Sequence, residues 1–191
     1  MREERPLSIP VILGTPRKGR MSAHVARFMV DRIHKRDGLL SELIDVATLA
    51  LPMDDAGEQI KHPEISEKLS RADALVIVSS EYNHSFPGLL KHFLDGYLEE
   101  YIHKAAGVVG VSAGPFGGAR GIQDLLPVLR ELGLVAIFTD VYVGNVHDVF
   151  DESGALLEPK LPRRADDFLD ELTWMARTLR YGRENVPIEG E

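Results

Sequence analysis

The feature that most constrains this chain is an alternation of short, continuously apolar runs with amphipathic helical stripes. "ALVIVSS" (Ala74–Ser80) and "AAGVVGVS" (Ala105–Ser112) lack the polar residue at every second position that a half-exposed strand would show. That is the pattern of parallel strands covered on both faces. Strands are expected at Leu7–Leu13, Leu43–Val46, Ala74–Ser79, Ala106–Ser112 and Leu134–Thr139. Pro10 breaks the rule inside the first, since proline cannot donate to a ladder.

Helical periodicity fills the intervals. Met21, Val25, Phe28, Met29 and Ile33 form one stripe. Leu90, Phe93, Leu94, Tyr97, Leu98 and Tyr101 form a second, opened by Pro87. Ile122, Leu125, Leu126, Leu129 and Leu132 form a third, closed by Gly133 as a C-cap, with Pro127 predicting a kink or a later start. A weaker helix is expected over Glu64–Ala72, and Phe168, Leu172, Met175 and Leu179 mark a final one.

Strand and helix alternating five times predict an α/β fold, a doubly wound five-stranded parallel sheet with helices on both faces. With 191 residues and no linker or repeat, one domain over 1–182 is expected. Phe150–Pro159 reads as a turn beyond the sheet, and 183–191 as a frayed C-terminal tail.

Composition narrows the function. A net charge of -8 argues against a nucleic-acid partner, which requires a basic face. The absence of cysteine excludes disulfides, thiolate metal sites and cysteine nucleophiles, and fits a reducing compartment. No apolar run approaches the about 20 residues that span a bilayer, and "MREERPLSIP" lacks the apolar core of a signal peptide. The expected setting is therefore cytoplasmic, without a membrane partner. The seven histidines show no metal-ligand spacing, and G-x-S-x-G is missing, so neither a metal site nor a serine hydrolase is expected.

In a doubly wound sheet, ligands bind outside the carboxyl ends of the strands, where strand order reverses. Three loops fall at that edge. "GTPRKGRMS" (Gly14–Ser22) joins small and hydroxyl residues to Arg17, Lys18 and Arg20 ahead of a helix N-terminus, a composition suited to a phosphate. It is neither a Walker loop nor the G-x-G-x-x-G fingerprint, and a solvated basic loop has the same composition. "EYNHS" (Glu81–Ser85) puts a polar group between a buried strand and a helix, and an ordinary turn is the simpler account. "SAGPFGGARG" (Ser112–Gly121) gathers Gly114, Gly117 and Gly118, as backbone close to a flat ligand would, or as a flexible crossover would.

Together, "GTPRKGRMS", "EYNHSFPGLLKHFLD" and "SAGPFGGARG...LRELG" resemble, in order, the NAD(P)H-dependent FMN reductases, a flavodoxin-like family that includes chromate and quinone reductases. E-Y-N-H-S-x-P-G-x-L-K is the most specific part, and the likeness covers roughly residues 7–140. The resemblance implies a flavoprotein oxidoreductase that takes hydride from NADPH or NADH onto FMN and passes electrons to a small acceptor such as a free flavin or quinone. It implies that Thr15, Arg17, Arg20, Met21 and Ser22 hold the FMN phosphate. Glu81, Tyr82, Asn83 and His84 would hold the ring and ribityl chain, and Ser112, Gly114, Gly117, Gly118 and Arg120 would wall the other edge. A homodimer or homotetramer is implied as well. Three positions depart from the family: Thr15 stands for a usual serine, Ser80 for a proline, and Gly96 for a tryptophan.

Because the cofactor performs hydride transfer, no catalytic side chain is expected, and backbone N–H groups of Asn83–Ser85 and Gly117–Gly118 are the candidates for stabilising charge on the reduced ring. Two other classes share the same loops. One is a flavodoxin-like electron carrier that does not turn over NAD(P)H, and the other a flavin-free phosphate-binding domain.

Overall fold

A computed structural model of the chain describes residues 5–52 and 61–187. Eight strand segments lie along five lines. The first comprises β1 (Leu7–Ser8) and β2 (Val11–Leu13), and the second β3 (Leu39–Leu40) and β4 (Leu43–Asp45). β5 (Ala74–Ser80) and β6 (Ala105–Val111) are the long central strands, and β7 (Val135–Ala136) and β8 (Val141–Val143) share the last line. Every pairing is parallel, and the order β4-β2-β5-β6-β7, with β8 also on β6, is the flavodoxin-like order 2-1-3-4-5.

Pro10 divides the first strand without ending it. The N–H groups of Ile9 and Val11 donate to the carbonyls of Leu40 and Glu42, each at 2.8 Å, and the Pro10 carbonyl accepts from Val76 N–H at 3.1 Å. Only the donor that proline lacks drops out of the ladder. The last strand also departs from expectation. Ile137 is buried but Phe138 is fully out in solvent, and pairing resumes at Val141–Val143.

Helices α1 (Ser22–His34) and α6 (Leu161–Asn185) cover one face of the sheet, where Val25, Met29 and Ile33 pack with Phe168, Leu169 and Leu172. Gly107 makes the α6 contact possible, because a Cβ there would lie 2.3 Å from the Phe168 ring. Helices α2 (Pro63–Arg71), α3 (Gly88–Asp95) and α4 (Ala119–Glu131) cover the other face around Ile12, Leu75 and Ile77. A short α5 (Val146–Val149) follows β8.

The second stripe is only partly helical. α3 stops at Asp95, and Tyr97 and Tyr101 are buried from the turns beyond it. α4 runs through Pro127 on its exposed face, where water can take the carbonyl that the ring leaves without a donor. Gly133, at φ 77°, closes it with Leu134 N–H on the Leu129 carbonyl at 3.0 Å. Residues 183–185 form the last turn of α6, and 188–191 lie outside the described residues.

At the amino end of the sheet, Asp73 is fully buried and surrounded by cations. It accepts two bonds of 2.8 Å from Arg5, one of 3.0 Å from Ser8 N–H and one of 3.4 Å from Arg183, with Arg180 at 3.7 Å. Lys104 lies beside it, donating to the carbonyls of Leu69 (2.6 Å) and Ser70 (2.7 Å) at the end of α2. Among the described residues, no helix is long and apolar enough to cross a membrane, and no group of three or more potential ligands is placed to hold a metal.

Candidate active site

The carboxyl ends of β2, β5, β6 and β8 open on a cleft of about 370 Å³, within the range of small-molecule sites. Gly14 leads the chain from β2 into it. Gly14 N–H makes a last ladder bond to the Val78 carbonyl (2.9 Å), and a Cβ there would strike Leu90 of α3 at 2.6 Å. Thr15, 3% exposed, then ties two strand ends together. Its Oγ1 accepts from Ser80 N–H at 3.1 Å and donates to Ser80 Oγ at 3.0 Å. A proline at position 80 could make neither bond, so Ser80 gives the hydroxyl at position 15 two partners that the family's usual proline would not.

The loop continues through Arg17 to Ser22, which opens α1 without any side-chain cap. The Arg20 guanidinium pairs with Asp45 at the end of β4, while its buried Nε has no hydrogen-bond partner among the described residues. Ser22 is 3% exposed, and its Oγ is likewise without a partner. A buried donor left unpaired costs about 1–3 kcal/mol. Two of them stand together where the loop enters a helix N-terminus, an arrangement able to donate to an anion.

The second wall is a two-residue hairpin. Tyr82 N–H donates to the Ser85 carbonyl (2.7 Å) and Ser85 N–H to the Tyr82 carbonyl (3.0 Å), leaving Asn83 at φ 49° and His84 at φ 70°. Positive φ at both central residues defines a type I′ turn, normally filled by Asn-Gly. Histidine in the left-handed region is strained, and such strain concentrates at ligand-binding turns. Glu81 Oε1 accepts from Arg120 Nε at 2.6 Å, whereas its buried Oε2 has no partner among the described residues. The Arg17 guanidinium sits over the Tyr82 ring at 5.2 Å and joins the first loop to the second.

The third loop is held by the chain itself. Ser112 N–H donates to the Val143 carbonyl (3.0 Å), Asn145 N–H to Gly114 (2.8 Å) and Val146 N–H to Ser112 (3.1 Å). Gly117 and Gly118 have φ of 60° and 76°, and a Cβ on either would meet Tyr142 at 2.7 Å or Val111 N at 2.9 Å. What approaches these glycines closely is therefore backbone from β6 and β8.

Of the residues anticipated from sequence, Thr15, Arg17, Arg20, Met21, Ser22, Glu81, Tyr82, Asn83 and Ser112 line the cleft together. His84, Gly114, Gly117, Gly118 and Arg120 do not line it. Arg120 reaches it only through Glu81, with its guanidinium 5.2 Å from the Phe116 ring. Gly19, Ser80, Val111, Ala113, Val146 and His147 complete the lining without having been anticipated. His147 was concealed because "VYVGN" was not read as a strand. Once β8 is placed beside β6, the residues after it fall at the same edge.

The cleft fits FMN in kind: buried hydroxyl and guanidinium donors for a phosphate, a free carboxylate oxygen for hydroxyl or N–H donors, and two loops around a space for a planar ring. Comparison with known proteins agrees. The family model described as NADPH-dependent FMN reductase matches residues 7–148. An NADPH azoreductase from Bacillus sp. (strain OY1-2) is 30% identical over 159 residues, covering 80% of this chain and 85% of that protein. A quinone reductase from Pseudomonas putida is 28% identical over 165 residues, covering 81% and 87%. Among solved structures, the flavoenzyme NAD(P)H:(acceptor) oxidoreductase from Paracoccus denitrificans superposes with a TM-score of 0.73 at 22% identity, covering 88% of this chain and 98% of that one. The chain is thus an FMN- and NAD(P)H-dependent oxidoreductase, and it belongs to the NADPH-dependent FMN reductase family.

Proposed function

We propose that the cleft holds FMN with its phosphate at the β2–α1 loop and its ring along the Glu81–His84 turn, and that the enzyme delivers electrons to a small acceptor of the quinone or free-flavin class. The unpartnered buried donors at Arg20 and Ser22 support this reading most directly. Bound FMN supplies the redox chemistry, taking hydride from NAD(P)H and returning two electrons, with protons from solvent, to the acceptor.

The chain's own residues bind and orient. The phosphate oxygens would supply the acceptors that Ser22 Oγ–H and Arg20 Nε–H lack, and Asp45 holds the Arg20 guanidinium in place from the neighbouring strand. Glu81 is fixed by Arg120 through one oxygen, so its other oxygen is the one available to a ligand donor. Ser85 N–H is already committed to the Tyr82 carbonyl, which leaves the amides of Asn83 and His84 as the donors for developing negative charge in that turn. No side chain is assigned a proton-transfer role, and His84, exposed outside the cleft lining, is not needed for one. The homodimer or homotetramer implied by resemblance is consistent with large apolar side chains left in solvent, chiefly Phe138 (85% exposed) and Tyr181.

The test is the absorbance spectrum of the protein loaded with FMN, before and after anaerobic NADPH. Flavin bands that bleach within about a second, at the turnover rates usual for enzymes, and recover on adding a quinone support the reading. Bound flavin that stays oxidised with NADPH and NADH would make the protein an electron carrier. Failure to bind FMN would remove the assignment of the cleft.

A further inference from the structure

The last helix, α6, buries Phe168, Leu169, Leu172 and Ala176 against the sheet and turns a polar face outward. Two aromatic side chains interrupt that outer face. Trp174, the one tryptophan of the chain, is 62% exposed, and Tyr181, two turns on, is 66% exposed. Solvating a helix gives no reason to leave two large rings in water, and aromatic side chains are characteristic of contact surfaces. The charges around them are ordered about Trp174. Asp170 stands four residues before it and Arg177 three after. Asp167 and Tyr181 stand seven residues to either side, and Arg163 and Glu184 eleven before and ten after. All are exposed, and steps of three and four residues keep them on one stripe, about 32 Å long at 1.5 Å per residue. Arg163, Asp167 and Arg177 form no ion pair among the described residues, and Asp170, although bonded to Arg36 at 2.7 Å, is 73% exposed.

From this, we infer that the outer face of α6 is a self-association surface, on which α6 of a second copy of this chain lies antiparallel, the two helices crossing at Trp174. A two-fold axis at Trp174 turns the stripe onto itself. Asp170 then faces Arg177 of the partner subunit, Arg163 faces Glu184 of the partner subunit, and the Tyr181 hydroxyl faces Asp167 of the partner subunit. Symmetry makes each match twice. A parallel pair would set every charge against its own copy, so the order of charges selects a single orientation and register. Exposed ion pairs add little strength, which leaves the aromatic rings to supply it. Beside Trp174, between α6 and the turn after α1, lies a depression of about 510 Å³ lined by Leu39 and Thr173, with room for a second indole. None of the stripe residues lines the flavin cleft, so the contact leaves both clefts open and does not depend on what they bind. The resemblance implies a homo-oligomer without saying which surfaces meet, and the α6 stripe supplies one.

The experiment is sedimentation velocity of the FMN-loaded protein at up to about 100 μM, where an interface of micromolar Kd is filled. The wild type is compared with Asp170→Arg, with Arg177→Asp and with the double variant Asp170→Arg/Arg177→Asp. Each single variant sets like charges opposite one another twice and should halve the mass of the wild-type particle, from dimer to monomer or from tetramer to dimer. The double variant exchanges the two signs and should recover the wild-type mass, which separates a lost contact from a damaged fold. In the apoprotein, where no flavin quenches it, Trp174 should emit at shorter wavelength in the wild type and the double variant than in either single variant, because the contact excludes water from the ring. A monomeric wild type, single variants that keep the wild-type mass, or a double variant that stays dissociated would overturn the inference. Failure of FMN to load would appear in the flavin absorbance and would strike the cleft, leaving sedimentation of the apoprotein to decide the α6 surface.

Discussion

The two ends of the sheet handle buried charge in opposite ways. At the amino end, Asp73 has no exposed surface, and its oxygens take bonds from Arg5, Ser8 N–H and Arg183, with Arg180 against it. Those partners come from the chain start, the first strand and the last helix, so the cluster fastens distant segments together. At the carboxyl end, Arg20 Nε, Ser22 Oγ and Glu81 Oε2 are buried without partners among the described residues, and two consecutive non-glycine residues have positive φ. One end has used its polar groups on the fold, and the other holds them for something else. The buried hydroxyls of Tyr97 and Tyr101 also lack a hydrogen-bond partner among the described residues, so an unpaired group alone does not mark a ligand. Arg20, Ser22 and Glu81 are set apart because they line one cleft together.

The largest effect that separates the ends should come from Asp73→Ala. The substitution takes away the buried carboxylate that Arg5, Arg180 and Arg183 share, and breaking a buried pair from one side costs about 3–5 kcal/mol. Urea unfolding should record that loss, while the folded fraction binds FMN as the wild type does. Little change in stability would mean that this end is no more structural than the other. Ser22→Ala should do the reverse. It deletes an unsatisfied donor, so stability stays level or improves, but Kd for FMN rises about tenfold.

The strained turn supplies a smaller effect. His84→Gly relieves a left-handed histidine at some cost in unfolded-chain entropy, for a net gain of about 0.5–1 kcal/mol in the same unfolding assay. A destabilised variant would show that His84 makes contacts that outweigh its strain. A further effect concerns pH. Burial, reinforced by the nearby Arg183, pushes the Lys104 ammonium down to about 8, against an ordinary value of 10.5. The unfolded chain then binds more protons than the folded one between those values. The contribution is fully present above 10.5, and it is lost as pH falls through about 8. Stability should climb over that interval, and Lys104→Met should flatten the climb.

The sequence disclosed the two ends unequally. β5 and β6 were legible because strands buried on both faces cannot tolerate polar interruption, and the glycine that closes α4 was legible because only its φ allows that cap. The β2–α1 loop and the Glu81–His84 turn were legible through the rule that ligands gather at the carboxyl edge. Pro10 flagged a flaw in the first apolar run without showing that it is two segments, and exposed Phe138 carried the fifth strand's reading past its real break. His147 depends on β8 lying beside β6, a long-range pairing with no local signature. The Asp73 cluster escaped notice for the same reason: its partners lie 65 to 110 residues away in sequence.

The central claim is that Arg20 and Ser22 are held open for a phosphate. The most direct measurement is a pair of fluorescence titrations, one with FMN and one with riboflavin, which differ only in that group. Two charge-assisted contacts predict that FMN binds about 100-fold more tightly or better. Equal affinities would contradict the claim, for they would mean that the loop, with its two buried unpaired donors, makes no use of the phosphate.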